Sequence, residues 1–366
     1  MQDSRQANIK INLHLRARII QAVRKFFIDH DYLEIETPYR IPAPAPEAHI
    51  DAETSGDWFL QTSPELCMKQ LLAAGYPRIF QICKCFRRKE RGRRHLPELT
   101  LLEWYTTGHD YMDMMNQCED LIRFVALHAG FGNVISYQGQ SIDLNGPWNR
   151  MSVTAAFDTF ASISLETALL NDCFDEKMAA EIEPHLGLQK PLFLYDYPAS
   201  SGALARFKPA DPKLVERSEL YIGGLELCNA FSELIDPGEQ KKRFEHEQNI
   251  RRHSGKQPYP MPEKFLDALG YMPEAAGNAL GIDRLVMLFA DTAKIDDVVA
   301  FIPEEIQEEQ TVTEAEDTAE ALENHEAKTQ ADLEWEQRTL CIDESCIGVI
   351  GPDGCCKECG LPFEKD

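Results

Sequence analysis

The feature that most constrains how this 366-residue chain can fold is the uneven distribution of its acidic residues and cysteines. Residues 304–337 contain thirteen Asp and Glu but one lysine, Lys328. Five of the eleven cysteines lie within residues 341–366. A stretch so acidic and so poor in large apolar residues buries too little surface to form a core. The sequence therefore predicts a folded body over residues 1–303, an acidic linker over 304–339 and a cysteine-rich module over 340–366.

We expect the acidic linker to be disordered or loosely helical, and a partner-binding acidic helix is the alternative.

The overall charge and the chain start argue against several classes of protein. The formal net charge of −24 disfavours a general nucleic-acid binder, because such proteins present a basic face. No apolar run approaches the roughly 20 residues of a membrane-spanning helix, and Met1 to Lys10 carry no apolar signal segment. We therefore expect a cytoplasmic protein without a membrane partner.

Strand and helix patterns alternate along the predicted body. Apolar residues at helical spacing over residues 15–30 predict a helix. Ser63, Pro64 and Glu65 are typical of a helix start, since the hydroxyl can cap the first turn, and Gly75 should end that helix. Strands joined by hairpins, with helices outside, predict an α+β domain on an antiparallel sheet. The predicted strands cover residues 32–36, 79–86, 99–105, 219–222 and 225–234, and residues 280–288 begin as a strand and turn helical near Asp283.

A basic loop lies between two of the predicted strands. From Lys84 to Arg94 it contains seven Lys and Arg and one acid, Glu90, although the whole protein is strongly acidic. Arginine forks match phosphate oxygens in two-point contacts, so polyphosphate is a natural ligand for this loop. A solvated basic hairpin tip is the alternative interpretation.

Two carboxylates flank the hairpin turn predicted at Gly223–Gly224. A two-residue turn places Tyr221 opposite Glu226 and puts Glu219 diagonal to Glu226 on the same face. Two close carboxylates repel each other unless a cation lies between them, and oxygen ligands suit Mg²⁺. The alternative is a pair of exposed strand acids that bind nothing.

Asn229, Phe231 and Glu233 share one strand face, because they are two residues apart along the strand. An acid beside an aromatic ring can hold the ammonium group of a ligand. Strict alternation puts these three residues on the face opposite Glu226. A pocket that uses all four therefore requires a β-bulge in this strand.

The segment Gly281-Ile-Asp-Arg284 lies where a predicted strand passes into a helix. At that position Arg284 could stack on a nucleotide base or bind a phosphate group. The alternative is an ion pair with Asp283 at the start of the helix.

Taken in order, these motifs resemble the catalytic core of class II lysyl-tRNA synthetases. The resemblance covers about residues 9–303, and the ordered set is far more specific than any single motif. It implies a class II synthetase fold, with an antiparallel sheet flanked by helices. The matching segments are the helix and strand that end at Pro38, Thr62-Ser-Pro-Glu65 with Met68-Lys69, Phe86-Arg87 leading to His95 and Pro97, Thr100-Leu-Leu-Glu-Trp-Tyr105, Glu226-Leu-Cys-Asn-Ala-Phe-Ser-Glu233 and Gly281-Ile-Asp-Arg284.

Two departures from the synthetase pattern narrow the resemblance. Such synthetases carry an N-terminal barrel that reads the anticodon, and only about a dozen residues precede the first predicted helix here, so we expect the barrel to be absent. The synthetase pattern Gly-x-Gly-x-Gly-x-Asp-Arg has Ala279 at its second glycine, and the extra methyl group should reshape the floor of the amino-acid pocket. Both features are similar to the freestanding lysyl-synthetase paralogues that modify elongation factor P, the GenX or PoxA family.

The resemblance to that family implies a ligase that uses ATP and Mg²⁺. The enzyme would activate lysine, preferably (R)-β-lysine, as the adenylate and transfer the acyl group to a lysine side chain of elongation factor P. The family further implies a homodimer formed near Pro38 and no binding of tRNA. Two rival interpretations stay open. One is a truncated lysyl-tRNA synthetase that charges tRNA, and the other is an inactive adaptor that uses the linker and the cysteine-rich module.

The resemblance also implies a role for each matching residue. Arg87, Arg284 and Glu226 would carry catalysis. Arg87 would contact the ATP α-phosphate and the substrate carboxylate, and Arg284 would stack on adenine or hold the γ-phosphate. Glu219 and Glu226 would hold Mg²⁺, and His95 would lie in the loop over ATP. The substrate pocket would be lined by Ser63, by Glu65 at the amino group near the carboxylate, by Glu103, Tyr105, Asn229, Phe231 and Glu233 at the distal ammonium, and by Ala279 and Gly281.

The basic loop departs from the family pattern at three positions. Lys89 stands where a glutamate is usual, with Glu90 one residue late, and Leu96 replaces the usual asparagine. Leu99 replaces the aromatic ring that sandwiches adenine, which removes a stacking interaction of about 1 kcal/mol. These changes predict a divergent subgroup with a weaker grip on adenine, and a decayed, inactive paralogue is the alternative.

The cysteine-rich module lies outside the region of resemblance. Its pattern, Cys341-x4-Cys346-x8-Cys355-Cys356-x2-Cys359-Gly360, is similar to a small zinc ribbon. Four thiolates form a closed, structural zinc site, and a segment this short needs a metal to fold. We predict that Cys341, Cys346, Cys356 and Cys359 bind zinc, with Cys355 able to replace Cys356. A disulfide or a cluster of free thiols is the alternative.

Overall fold

The structure is a computed structural model that describes residues 4–202 and 204–306. Residues 1–307 belong to one compact unit. The acidic linker beyond Ile306 and the cysteine-rich module lie outside the described residues, and the four predicted zinc ligands therefore do too. Within the described ranges, no helix combines the length and the apolar character that crossing a bilayer demands.

The described residues contain fourteen strands. They are β1 (Leu33–Glu34), β2 (Arg40–Ile41), β3 (Thr54–Ser55), β4 (Trp58–Leu60), β5 (Arg78–Phe86), β6 (Glu98–Thr107), β7 (Val134–Tyr137), β8 (Gln140–Asp143), β9 (Asn149–Ser152), β10 (Leu192–Pro198), β11 (Phe207–Lys208), β12 (Asp211–Ile222), β13 (Leu225–Ser232) and β14 (Ala275–Gly281). Nine of them form the main sheet, in the order β1-β5-β6-β14-β13-β12-β10-β9, with β11 paired to β12. Its pairs are antiparallel except β1 with β5 and β9 with β10. Two small sheets, β2-β4-β3 and β7-β8, lie outside it.

Eleven α-helices occur in the same ranges. They are α1 (Arg5–Asn8), α2 (Lys10–Asp29), α3 (Glu65–Ala73), α4 (Tyr111–His128), α5 (Val153–Phe160), α6 (Leu165–Leu170), α7 (Phe174–Lys177), α8 (Pro237–His253), α9 (Glu263–Leu269), α10 (Ile282–Phe289) and α11 (Pro303–Ile306). Short 3₁₀ or π turns cover Met178–Ile182, Glu183–His185, Ala199–Ser201 and Ile295–Val298.

The largest hydrophobic cluster lies between one face of the main sheet and helices α2, α4 and α10. Helix α2 buries Ile19, Val23, Phe26 and Phe27, at the three- and four-residue spacing of an amphipathic helix. The ring of Phe27 stacks on Phe80 of β5 with a centroid distance of 4.7 Å. Because alternate strand residues point to opposite faces, this packing leaves the other alternate residues of β5, β6, β13 and β14 facing away from the cluster.

On the opposite face, α3 packs against α9 and contacts β6, and α9 packs against α8. Helix α3 begins as the sequence predicts, since the Ser63 hydroxyl accepts a hydrogen bond from the backbone N–H of Glu65 at 3.0 Å. It ends before Gly75, whose φ of +95° suits glycine. These helices wall the sides of the sheet face that the core leaves free.

The hairpin between β12 and β13 turns at Gly223 and Gly224, as predicted. Both residues have positive φ, +61° and +71°, which is the requirement of a type I′ turn. A side chain at Gly223 would also collide with Tyr137. The turn therefore fixes the register of the two strands that carry the predicted carboxylates.

The predicted α+β fold with a helix-flanked antiparallel sheet is confirmed. Residues 15–30 fall largely within α2, and each predicted strand has a counterpart in the main sheet. Helices α4 and α8 were not predicted from the sequence, and β12 begins eight residues before its predicted start.

Candidate active site

A cavity of about 650 Å³ opens on the sheet face that points away from the main hydrophobic cluster. Thirteen residues assigned from the sequence line this cavity, and they come from loops, helices and three strands. They are Ser63, Glu65, Arg87, His95, Glu103, Tyr105, Glu226, Asn229, Phe231, Glu233, Ala279, Gly281 and Arg284. Glu219 was assigned to the same site, but its side chain does not line the cavity.

Cross-strand pairing explains why these distant residues meet. Residues that face each other on neighbouring strands share a sheet face, so each chain of paired residues forms a row across the cavity floor. The first row runs Glu103, Ala279, Asn229 and Glu219, and the second runs Tyr105, Gly277, Phe231 and Arg217.

A β-bulge in β13 brings Glu226 to the same face as these rows. Tyr221 lies opposite Glu226, as the sequence predicts, and the register then shifts before Cys228. Leu227 is the extra residue, and both Leu227 and Cys228 are buried in the main cluster. Asn229 therefore shares the cavity face with Glu226, although three residues separate them. The bulge that a single pocket requires is present.

A buried ion-pair cluster forms one end of the cavity. The side chain of Lys69 is 1% exposed, and its Nζ lies 2.5 Å from Glu65 Oε1 and 2.5 Å from Glu233 Oε2. Burial alone would lower the pKa of Lys69, but the two carboxylates outweigh it and raise that pKa. The lysine therefore stays charged and holds α3 against the end of β13.

Glu103 adds a third buried carboxylate to this end. Its oxygens accept hydrogen bonds from Ser63 Oγ at 2.6 Å and from the Tyr105 hydroxyl at 3.1 Å. Burial, helped by repulsion from Glu65, raises the pKa of Glu103 to about 7. Burial also raises the pKa of Glu233 to about 8, although Lys69 opposes the shift. This end of the cavity thus holds three carboxylates and one lysine, so it has fewer positive groups than acidic ones.

The guanidinium group of Arg284 lies at the opposite end of the cavity. Its Nη1 donates to the backbone oxygen of Glu226 at 2.8 Å and lies 3.1 Å from the Glu226 carboxylate. Its Nη2 lies 2.6 Å from His95 Nε2, and Arg94 reaches the backbone oxygen of Gly224 at 3.1 Å. Burial and the charge of Arg284 lower the pKa of His95, so the neutral ring accepts the hydrogen bond. The basic loop is thereby tied to the β12–β13 hairpin.

The predicted alternative for Arg284, an ion pair with its neighbour Asp283, is wrong. Asp283 is buried and instead accepts from Arg16 Nη1 at 2.6 Å and from the backbone N–H of Thr100 at 2.7 Å. These contacts fasten α10 to α2 and β6. Arg284, one residue later in the first turn of α10, therefore has its guanidinium available to the cavity.

The basic loop lines the cavity between the two ends. Arg87, Lys89 and Glu90 all contribute side chains to the cavity wall. Lys89 has a φ of +66°, a left-handed conformation that tightens the turn, and Arg87 Nη1 lies 3.9 Å from Glu90 Oε2. Leu99 lines the cavity as well. The alternative of a solvated hairpin tip does not describe Arg87 and Glu90, which are only partly exposed, whereas Lys89 is exposed to solvent at the edge of the cavity.

Glu219 lies at the back of the first row in a closed network. Its Oε2 accepts from the hydroxyls of Tyr197 at 2.5 Å and Tyr221 at 2.7 Å, and its Oε1 lies 2.5 Å from Arg217 Nη2. A carboxylate has about four acceptor positions, so these three contacts leave about one. The donor set therefore fits a magnesium ion well at Glu226, which is partly exposed, and leaves Glu219 a single remaining position on Oε1.

Sequence reasoning missed two charged residues of the cavity wall, Glu47 and Arg217. Arg217 donates to Asn229 Oδ1 at 3.1 Å, and its guanidinium lies 4.4 Å from the Tyr197 ring centre. Its position two residues before Glu219 on the same strand was a usable signal. Glu47 follows a proline-rich loop with no periodic pattern, so no comparable signal existed for it.

Comparison with known proteins agrees with this geometry. The family of class II tRNA synthetases specific for Asp, Lys and Asn (D, K and N) matches residues 1–305. The elongation factor P–(R)-β-lysine ligase of Vibrio atlanticus is 38% identical over 316 residues, which cover 81% of this chain and 96% of the relative. Those of Erwinia tasmaniensis and Salmonella arizonae are each 37% identical over 308 residues, 79% of this chain and 94% of the relative. The chain belongs to the class II tRNA synthetase family and, within it, to the group of elongation factor P–(R)-β-lysine ligases.

Proposed function

We propose that this protein is an ATP-dependent ligase that activates (R)-β-lysine as its adenylate and transfers the acyl group to a lysine of elongation factor P. The observation that carries the proposal is the distribution of charge in the cavity. Arginines lie at one end, and the other end has more carboxylates than positive groups. The names of the relatives supply the substrate and the acceptor. The alignment covers 96% of the relative from Vibrio atlanticus, which supports proposing the complete activity of that relative for this chain.

The basic end of the cavity suits ATP and the first half of the reaction. Attack of a substrate carboxylate on the α-phosphorus needs positioning and charge neutralisation rather than acid–base chemistry. Arg87, which lines the cavity, would bind the carboxylate and the α-phosphate together. Arg284 would release Glu226 and bind the nucleotide, while Glu226 and Glu219 would hold the Mg²⁺ that screens the phosphates. When bound, magnesium neutralises charge on the phosphate oxygens and orients pyrophosphate for departure.

The acidic end suits an amino acid with two ammonium groups. Glu65, Glu103 and Glu233 bring up to three negative charges, and Lys69 contributes one positive charge. A diammonium substrate would complete the neutralisation. Its arrival would also favour the ionised forms of Glu103 and Glu233, whose pKa values burial raises to about 7 and about 8. A neutral or acidic amino acid would leave this excess charge buried and unpaired.

Ala279 supports the choice of (R)-β-lysine over α-lysine. It lies in the first row between Glu103 and Asn229, so its methyl group projects from the cavity floor. A substrate whose amino group is attached one carbon further from the carboxylate follows a different path over this floor. The methyl group would therefore discriminate between the two amino groups by contact.

The deciding experiment is amino-acid-dependent ATP–pyrophosphate exchange with (R)-β-lysine, with α-lysine and without an amino acid. The proposal expects exchange with (R)-β-lysine well above exchange with α-lysine, and labelled acyl transfer to elongation factor P. Preference for α-lysine together with charging of total tRNA would favour the tRNA-charging rival. Absence of exchange with both amino acids would favour the inactive adaptor. An Arg87→Ala variant is the control for contaminating synthetase.

We also propose that the cysteine-rich module binds one zinc ion through Cys341, Cys346, Cys359 and either Cys355 or Cys356. The support is their spacing in the sequence. Metal analysis of the purified full chain should find one zinc per chain, and its absence would reject the site. A chain without residues 304–366 should keep adenylation, because every described residue that lines the cavity precedes residue 304.

We further propose a cytoplasmic homodimer. Leu33 and Tyr39, which flank Pro38, are 49% and 48% exposed, so apolar surface is available where the family resemblance expects the interface. The location follows from the proposed acceptor, which acts in translation. Light scattering of the purified protein should give twice the chain mass of 41.6 kDa, and the single mass would reject the dimer.

A further inference from the structure

Glu47 stands in the cavity wall on a backbone that α8 holds in place. Arg251, which is buried, donates from Nη1 to the Glu47 backbone oxygen at 2.9 Å and to the Ile50 oxygen at 3.0 Å. The neighbouring backbone N–H of Ala48 donates to Glu247 Oε2 at 2.7 Å. Three hydrogen bonds therefore fix the loop, and the Glu47 side chain projects from a rigid support into the cavity.

The carboxylate of Glu47 differs from the others in the cavity in its contacts. Glu65 and Glu233 pair with Lys69, Glu103 accepts two hydrogen bonds, and Glu226 pairs with Arg284. Among the described residues, no hydrogen bond or ion pair engages the Glu47 carboxylate. It is half-buried and lies in the field of four charged groups from four parts of the fold: Arg87 of the basic loop, Glu65 of α3, Glu247 of α8 and Arg217 of β12.

These neighbours place Glu47 on the stretch of cavity wall between the basic loop and the amino-acid end. Arg87 is its strongest attractive neighbour, and Arg87 is also the residue proposed to hold the carboxylate that becomes the adenylate. Glu65 marks the near side of the amino-acid end. An acceptor must enter along this stretch, because the acyl carbon lies between the nucleotide and the amino-acid side chain.

A protein acceptor creates a chemical need that a ribose acceptor does not. The lysine side chain has an ordinary pKa near 10.4, so at neutral pH almost all of it is ammonium without a free electron pair. A ribose hydroxyl is already uncharged. Transfer to lysine therefore requires a base that removes one proton before attack, and none of the paired carboxylates in the cavity is free to accept it.

We propose that Glu47 is the general base of the transfer step. Its carboxylate binds the acceptor ammonium and takes one proton, and the free amine attacks the carbonyl carbon of the adenylate. The new C–N bond forms, the bond from the carbonyl carbon to the phosphate oxygen breaks, and AMP leaves with that electron pair. The nitrogen loses its second proton to water, and Glu47 later returns its own to water. This inference rests on the proposed function and concerns its second half.

The environment suits Glu47 to this role. Burial raises its pKa to about 7, helped by Glu65 and Glu247, while Arg87 opposes the rise. A base with a pKa close to the working pH is ionised often enough to act and is strong enough to take the proton. The environment of Glu47 therefore matches its proposed position and task.

The test compares two acceptors on preformed adenylate in single turnovers of the full-length protein. One acceptor is elongation factor P, whose amine is protonated at pH 7.5, and the other is hydroxylamine, which is largely neutral there and needs no base. In the Glu47→Gln variant, transfer to elongation factor P should fall about a hundredfold more than transfer to hydroxylamine. The defect should shrink as pH rises from 7 to 9, since more free amine is present. Glu47→Asp should recover part of the rate.

Glu90→Gln is the matched control, because it removes a carboxylate from the same cavity wall beside Arg87. It should change both acceptor rates by the same factor. Equal losses with both acceptors in Glu47→Gln, or a defect that does not change with pH, would overturn the assignment. If wild-type protein forms no adenylate with any lysine, the proposed function itself has failed, and that result differs from every outcome expected of the variant.

Discussion

At the scale of single residues, we propose that substrate specificity depends on one methyl group in the cavity floor. Ala279 lies between Glu103 and Asn229, whereas Gly277, two residues earlier, has no room for a side chain. A Cβ at Gly277 would overlap the Tyr105 ring and the Glu233 carboxylate. A methyl group therefore has different effects at the two positions. At Ala279 it shapes the pocket, whereas at Gly277 it would fill the pocket.

We predict that Ala279→Gly raises pyrophosphate exchange with α-lysine relative to (R)-β-lysine by about tenfold, because one methyl group is worth roughly that much discrimination in a binding site. The measurement is kcat/KM for each amino acid. Gly277→Ala is the contrasting variant and should abolish exchange with both. An unchanged ratio in Ala279→Gly would show that discrimination lies elsewhere in the cavity.

Magnesium dependence provides the second prediction at this scale. Replacing Glu226 or Glu219 with Ala should abolish exchange. Glu219→Ala should in addition lower the melting temperature, because it removes the acceptor of two buried tyrosine hydroxyls and one acceptor of the partly buried Arg217. Exchange and thermal unfolding, both measured across Mg²⁺ concentrations, separate the two effects. Wild-type exchange in either variant would reject the assignment of that residue to magnesium.

Most residues of the cavity were identifiable from the sequence because they belong to ordered motifs with strand or helix spacing. Lys69 was part of a matching motif, but its role needed the structure, since its two partners come from α3 and from the end of β13. Glu47 lies in a loop whose course depends on the distant helix α8. Contacts set by tertiary packing leave no local pattern to detect.

At the scale of elements, the bulge in β13 decides which side chains reach the cavity. Residues 226 and 229 would lie on opposite faces of a regular strand, so one extra residue is required between them. The period-two pattern of the sequence predicts this requirement. The pattern does not locate the bulge, because Leu227 and Cys228 are both apolar and either could be the extra residue.

We predict that deleting Leu227 keeps Glu226 and Asn229 on one face, since the deletion converts the bulge into regular pairing. Exchange should stay within about tenfold of wild type, while stability should fall by about 2–5 kcal/mol because a buried leucine is lost. Leu227→Ala is the matched control, with the same lost side chain but the bulge retained. If the deletion abolishes exchange and the control does not, the bend of the strand itself is essential. Urea unfolding measures the stability of both variants.

The helices differ in how clearly the sequence predicts them. Helix α4 buries residues at helical spacing, including Met114, Cys118, Leu121 and Val125, so its pattern was available in the sequence. Helix α8 is polar around most of its circumference, and its buried residues include Gln240, Gln248 and Arg251. Tertiary contacts rather than an apolar stripe hold such a helix, and periodicity alone does not reveal it.

At the scale of the whole molecule, the net charge is strongly negative, but positive and negative groups are separated at opposite ends of the cavity. The basic loop and Arg284 make one end positive, while Glu103 and Glu233 make the other end short of cations. Composition argues against a general nucleic-acid surface, but it could not reveal this internal polarity, which arises from the order of strands in the sheet. Ligand binding and pH should therefore act on the same buried carboxylates.

Stability without substrate should fall as pH rises from about 6.5 to about 8.5. Folding raises the pKa of Glu103 to about 7 and of Glu233 to about 8, from 4.5, so across this window the folded state binds more protons than the unfolded state. Unfolding free energy then decreases with increasing pH, and it is highest where both acids are protonated. The lowered pKa of His95 acts in the opposite sense, but mainly below this window.

Urea unfolding at several pH values tests this prediction, and Glu233→Gln should flatten the upper part of the curve. Binding of (R)-β-lysine near pH 7.5 should release protons from Glu103 and Glu233, because the ammonium groups of the ligand favour the ionised carboxylates. Calorimetry in two buffers of different ionisation enthalpy measures that release. A stability that stays constant or rises between about pH 6.5 and 8.5, with no proton release, would mean that both carboxylates are already ionised in the empty cavity. The acidic end would then be neutralised by groups other than the substrate.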